Sequence, residues 1–207
     1  MEIKDFNNCT ENMLTYGGHA GAKLGIVIDG ENWFLKFPKS TRTLRKKVDM
    51  SYSTSPLSEY IGSHIYESID IPVHKTMLGI RDNKLVVACK DFRNDISKIT
   101  FEDYNSIYNI YVSGLDEKLS SITSSSNHTV DLNEIMIIME NNPRFINTKG
   151  LKDRFWDMFI VDALIGNNDR NNGNWGVLIN NDTKKIEIAP VFDNGASFGN
   201  NTDDLKI

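Results

Sequence analysis

Apolar runs of strand length alternate with turn signals through the first half of the chain, and helix-spaced apolar positions take over in the second. The runs 24–28 and 33–37 flank the turn Asp29-Gly30-Glu31-Asn32, which predicts a β-hairpin. A polar, basic stretch follows over 39–55. Ser55-Pro56 then starts a predicted helix, with Ser55 as its cap and Pro56 in its first turn. Apolar spacing gives Leu57, Ile61, Ile65 and Ile69 as the buried stripe and ends the helix before Pro72. Residues 74–80 and 84–90 read as two more strands around Arg81-Asp82-Asn83.

Beyond a predicted boundary near residue 93, helical patterns cover 101–112 and 131–140, and the Ser/Thr-rich segment 119–129 reads as a mobile loop. The strongest helix is 151–165, where Leu151, Phe155, Met158, Phe159, Asp162 and Ile165 recur every three or four positions and Gly166 suits its end. A polar loop (167–174), strands at 175–179 and 185–189, and Val191–Gly195 complete the pattern, without internal repeats.

Composition narrows the class. Of 207 residues, 40% are hydrophobic and 25% charged, enough apolar material for a core and against wholesale disorder. A net charge of −5 argues against nucleic acid as the partner. Cys9 and Cys89 have neither disulfide-framework nor metal-ligand spacing, which fits a reducing compartment. No apolar run approaches the ~18 residues of a membrane span, and Met1–Asn12 lacks the basic-then-apolar order of a signal peptide. A cytoplasmic protein with no membrane partner is the expectation.

The chemistry concentrates in Asp169, Asn174 and Asp193. A hairpin that starts at Asn174 returns the chain to its origin at Asp193, so the two can face one small space. A carboxylate and an amide oxygen there suit Mg²⁺, a hard cation, and leave Asp169 to take a proton. Taken singly, Asp and Asn in loops cap helices or make turns. Jointly, Asp-x-x-x-x-Asn, two strands, then Asp-x-Gly is the order of base, second-metal Asn and metal Asp in a protein-kinase centre.

Such a centre also requires a strand lysine paired with a glutamate on the next helix. Lys36 lies among apolar residues where an unpaired ammonium is costly, and Glu59 follows on the predicted helix, off its apolar stripe. Their ordinary alternatives are an edge-strand lysine reaching water and an exposed helix residue. Gly17, Gly18 and Gly21, with Lys23, precede the first strand; such a turn fits a phosphate cradle and a plain turn equally. Lys90, Asp91 and Phe92 leave the last strand of the first half, where a hinge presents backbone groups to adenine.

The segments 17–23 (GGHAGAK), 34–38 (FLKFP), 58–60 (SEY), 86–92 (VVACKDF), 155–176 and 188–195 (IAPVFDNG) give the chain a resemblance to the HipA-like Ser/Thr kinases, most closely the CtkA-type, cell-translocating branch. The resemblance implies a two-lobed, α+β protein-kinase-like fold. Residues 1–93 would form a small, mainly antiparallel-β N-lobe with one helix of the αC type, and 94–207 a shortened, mainly α C-lobe. It implies ATP and Mg²⁺ as cofactors, Asp169 as catalytic base, Asn174 and Asp193 as metal ligands, and Lys36 on the α/β-phosphates, with signal-independent translocation into host cells as a further expectation. The chain departs from the family in ending soon after Asp193, in carrying Asn171 where HipA has a histidine, and in lacking a serine between Gly17 and Lys23 for autophosphorylation in the glycine loop.

The leading expectation is ATP-dependent phosphorylation of protein Ser/Thr hydroxyls; the Ser/Thr stretch 120–126 fits an autophosphorylation acceptor and a plain flexible loop equally. A small-molecule kinase, a catalytically inactive nucleotide-binding module and, last, a two-metal hydrolase or nuclease are the alternatives. The hydrolase leaves Lys36 and Glu59 without a role. The basic run 39–47, five Lys/Arg in nine residues, reads as a solvated loop rather than a nucleic-acid patch. His19, His64, His74 and His128 have no metal spacing and take core or surface roles.

Overall fold

The structure is a computed structural model and describes residues 2–16, 22–40, 53–93, 95–115 and 131–199; the glycines at 17, 18 and 21, most of the basic run, the Ser/Thr-rich loop, His19 and His128 lie outside them. The fold is α+β. Strands β1 (Lys4–Asp5), β2 (Lys23–Ile28) and β3 (Glu31–Lys36) precede helix α1 (Ser55–Ser68), then β4 (Thr76–Arg81), β5 (Lys84–Lys90) and β6 (Ile99–Asp103). Helices α2 (Tyr104–Leu115), α3 (Leu132–Asn141), α4 (Pro143–Ile146) and α5 (Leu151–Ile165) follow, and β7 (Gly176–Asn180) and β8 (Ile186–Ile188) close the order. No described helix is long and apolar enough to cross a membrane.

The described residues fall into two compact units. The first takes them from Met1–Phe92, Ile160–Asp169 and Val191–Ile207; the second takes them from Arg93–Phe159 and Arg170–Pro190.

In the first unit the strands form one sheet in the order β1-β4-β5-β3-β2, antiparallel except for β1 against β4. Its two hairpins turn through consecutive positive-φ residues, Asp29 and Gly30 (51° and 77°) and Asp82 and Asn83 (52° and 56°). These are the turns whose twist matches that of the flanking strands. Alternation along the strands separates two cores. Phe6, Ile26, Trp33, Leu35, Val86 and Ala88 pack on one face. Leu78, Val87 and Cys89 pack on the other with Phe34, Leu57 and Tyr60, the last two from α1.

Helix α1 corrects the expected stripe. Its buried residues are Pro56, Ser58, Glu59, Gly62, Ser63 and Tyr66, whereas Ile61 and Ile69 are 39% and 52% exposed. Leu57 does pack against the core, but the fully buried face is mostly polar because it meets polar partners, so hydrophobic spacing finds only part of what α1 buries. The cap is Thr54 rather than Ser55, with Pro56 in the first turn as expected.

In the second unit β6, β7 and β8 form an antiparallel sheet. Strand β6 takes residues 101–103, which the sequence pattern gives to a helix, because they pair with Gly176–Leu178. Tyr104 stacks on Trp175 at 4.5 Å between ring centroids, with Phe145 and Phe155 alongside. Phe159, expected in the stripe of α5, is 54% exposed.

Candidate functional site

Lys36, the last residue of β3, donates from Nζ to Glu59 Oε2 and to Asp193 Oδ1, each at 2.7 Å. Its side chain is 12% exposed and that of Glu59 is fully buried. An ammonium held there needs counter-charge, and two carboxylates supply it. Burial alone would lower the Lys36 pKa, but Glu59 and then Asp193 raise it well above the ordinary lysine value. Burial alone would raise Glu59, but the Lys36 charge and the hydrogen bond from His74 hold it well below the carboxylate range. Asp193 is lowered likewise: burial works against it and Lys36 prevails.

The second oxygen of Glu59, Oε1, accepts from His74 Nε2 at 2.8 Å and from the backbone N–H of Asn194 at 3.1 Å. Asn194 is fully buried, and its side-chain amide donates to Ser63 Oγ at 3.1 Å. The residue approaches α1 so closely that a Cβ on Gly62 would lie 2.9 Å from the Asn194 Cβ; glycine is what makes room for it. Asp193 adopts φ 60°, a left-handed conformation that Asp tolerates better than most residues. Consecutive side chains thus reach Lys36 and Ser63. Upstream, Val191 bridges Val73 in parallel, donating its N–H to Pro72 O and accepting from His74 N–H, both at 2.9 Å.

Asp169 is exposed, and its N–H donates to Asn167 Oδ1 at 3.3 Å. The Asn167 amide donates to Asp162 Oδ1 at 2.9 Å, and so does the Tyr66 hydroxyl from α1. Asp162 is the charged residue in the apolar stripe of α5, and these donors explain its burial. Helix α1 therefore presents Glu59 to Lys36, Ser63 to Asn194 and Tyr66 to the support of the Asp169 loop.

Asn174 belongs to the second unit. There its N–H donates to Asn171 O and its carbonyl accepts from Arg170 Nη1, each at 3.0 Å. Lys23 lies opposite Lys36 in the β2–β3 register, with Nζ 5.9 Å from the centroid of the Phe34 ring; burial, then the Lys36 charge, lowers its pKa. At the end of β5 Lys90 N–H donates to Lys75 O, and just beyond it Asp91 N–H donates to Asn32 O, both at 2.9 Å. Lys90 Nζ donates to Glu31 at 2.6 Å, and the Phe92 ring lies 5.5 Å from that of Phe192.

The structure thus joins Lys36, Glu59 and Asp193 directly. It adds four residues that sequence reasoning passes over: His74, Asn194, Ser63 and Tyr66. None has a spacing signal, because each acts through a partner distant in the chain. Asp162 alone leaves a trace, as a carboxylate at a stripe position.

Residues 17–205 match the family model for the HipA-like C-terminal domain. The chain belongs to that family. It is 36% identical over 206 residues to the serine/threonine-protein kinase CtkA of Helicobacter pylori, a match that covers 99% of this chain and 59% of the relative. The crystal structure of the Helicobacter pylori proinflammatory kinase CtkA superposes with a TM-score of 0.77 at 34% identity, covering 95% of this chain and 61% of that one. The chain therefore spans about three fifths of the length of the relative it matches.

Proposed function

We propose that this chain is the nucleotide-binding and phosphoryl-transfer part of an ATP-dependent Ser/Thr protein kinase. The observation that carries the reading is the clamp at Lys36, whose ammonium is bound by Glu59 from α1 and by Asp193 at 2.7 Å each. A strand lysine oriented by a helix glutamate is the arrangement that positions ATP phosphates in kinases. The similarity to CtkA supports the same reading.

In this reading residues 1–93 act as the N-lobe and 94–207 supply Asp169, Asn174 and Asp193. The glycines at 17, 18 and 21, which lie outside the described residues, would bind the phosphates together with Lys23, and the segment Lys90–Phe92 would offer backbone groups to adenine. Lys36 engages Asp193 through Oδ1, and a carboxylate together with an amide oxygen is a donor set that fits Mg²⁺. Asp193 and Asn174 would hold the ion, which when bound neutralises developing charge on the phosphates. Asp169 orients a Ser or Thr hydroxyl and accepts its proton as the oxygen bonds to the γ-phosphorus and the bond to the β-phosphate oxygen breaks, releasing ADP. A base in this role contributes roughly 10²–10⁴ in rate.

The test is transfer of labelled γ-phosphate to a protein acceptor in Mg²⁺ by wild type and Asp169→Ala. The reading predicts loss of about 10²-fold or more in the variant; equal incorporation rejects it. Nucleotide-dependent stabilisation of the wild type without transfer to any acceptor would instead make the chain a nucleotide-binding module.

A further inference from the structure

We propose that His74 is a positioning residue that holds Glu59 against Lys36 and ties the pair to the segment leading into Asp193, so that the clamp stands assembled before nucleotide arrives. What the clamp binds rests on the kinase reading above; that His74 assembles it does not.

His74 makes contacts in two directions. Its side chain, 1% exposed, reaches Glu59 Oε1 at 2.8 Å. Its backbone N–H holds Val191 O at 2.9 Å, two residues before Asp193. A displacement of the Asp193 segment is therefore transmitted to the residue that braces Glu59. Because an ionised carboxylate only accepts, Nε2 must carry the hydrogen. The other ring nitrogen, Nδ1, is buried with no hydrogen-bond partner among the described residues. An apolar side chain of similar volume would fill the space without that unsatisfied atom, so the imidazole is explained by what Nε2 does for Glu59.

A metal site is the competing use of this cluster, since donor atoms of Glu59, His74 and Cys89 lie within 4.8 Å of one another. The hydrogen bonds already present argue against it. The two Glu59 oxygens accept from Lys36, His74 and Asn194, and burial pushes the Cys89 thiol well up, away from the thiolate a metal needs.

The test compares wild type, His74→Phe and His74→Gln, whose amide can donate to the same oxygen. Trinitrobenzenesulfonate modification is followed at Lys36 and, as an internal control, at Lys90. In His74→Phe the Lys36 rate should rise about ten-fold while Lys90 stays unchanged, and His74→Gln should return Lys36 to within about three-fold of wild type. Where turnover is present, kcat should fall about ten-fold in His74→Phe with the KM for ATP changed less, and recover in His74→Gln. Absence of wild-type turnover would count against the kinase reading and leave the labelling result to decide this one. Unchanged Lys36 labelling in a cooperatively melting His74→Phe overturns the proposal. Should that variant not fold, the wild type decides: ¹⁵N NMR must show His74 hydrogen on Nε2, and a neutral ring with the hydrogen on Nδ1 refutes it.

Discussion

Lys36 Nζ and Asp193 Oδ1 meet at 2.7 Å although 157 residues separate them in the chain. Glu59 completes the group, leaving one positive and two negative charges. Lys23, opposite Lys36 in the sheet register, adds a second positive charge that bears on Asp193, so the unliganded group is close to neutral, and under the proposed function a bound cation would add the positive charge that a triphosphate calls for. That gives Mg²⁺ a physical reason in the proposed function.

Removing the ammonium tests this balance. Lys36→Met leaves Glu59 buried without its main counter-charge, and breaking such a pair costs about 3–5 kcal/mol. The 22% exposure of the Asp193 side chain reduces its share. Urea denaturation should show the loss, and Lys36→Met/Glu59→Gln should recover part of it.

The same charges set a pH dependence. Glu59 and Asp193 are lowered in the folded chain, so their stabilisation is present above the ordinary carboxylate value of about 4 and is lost as pH falls toward their folded values. Lys36 is raised, so its contribution is intact below the ordinary lysine value of about 10.4 and fades only as pH rises past its folded value. The stability difference between wild type and Lys36→Met should therefore shrink as pH falls below about 4 and, because burial raises Glu59 once Lys36 is gone, grow as pH rises above that value. Denaturation midpoints on both sides of that pH give the measurement.

Gly62→Ala probes the contact between α1 and the segment after Asp193. Its Cβ would lie 2.9 Å from that of Asn194, and relieving such overpacking costs about 1–3 kcal/mol. Because Asn194 N–H also donates to Glu59, nucleotide-induced stabilisation should weaken along with Tm, both read by differential scanning fluorimetry.

Tyr66→Phe removes one donor from Asp162 while keeping the ring. Loss of the hydrogen bond costs about 1 kcal/mol, more if the carboxylate is left short of partners. Since Asp162 also holds Asn167, which caps the Asp169 N–H, phosphoryl transfer should drop several-fold with little change in ATP binding. Parallel transfer and calorimetry measurements separate the two.

Much of this arrangement is legible along the chain. Hairpins with Asp-Gly and Asp-Asn turns, the strand holding Lys36 and the helix 151–165 follow from local periodicity and turn chemistry, and the order of Lys36, Glu59, Asp169, Asn174 and Asp193 points to kinase chemistry. The buried face of α1 is not legible. Glu59, Gly62, Ser63 and Tyr66 repeat at helical spacing, but a polar stripe is indistinguishable from a solvated one until its partners are known. His74 and Asn194 escape notice for the same reason: their roles come from contacts 15 and 131 residues away. Strand β6 escapes because its pairing with β7 overrides the helical pattern of 101–103.

Labelling with an acyl-phosphate derivative of ATP, which acylates the lysine beside the bound phosphates, tests the clamp most directly. Mass spectrometry should place the modification on Lys36, with protection by excess ATP and Mg²⁺ and loss of protection in Asp193→Ala. Modification of other lysines with Lys36 untouched, or labelling that ATP does not reduce, would contradict the account.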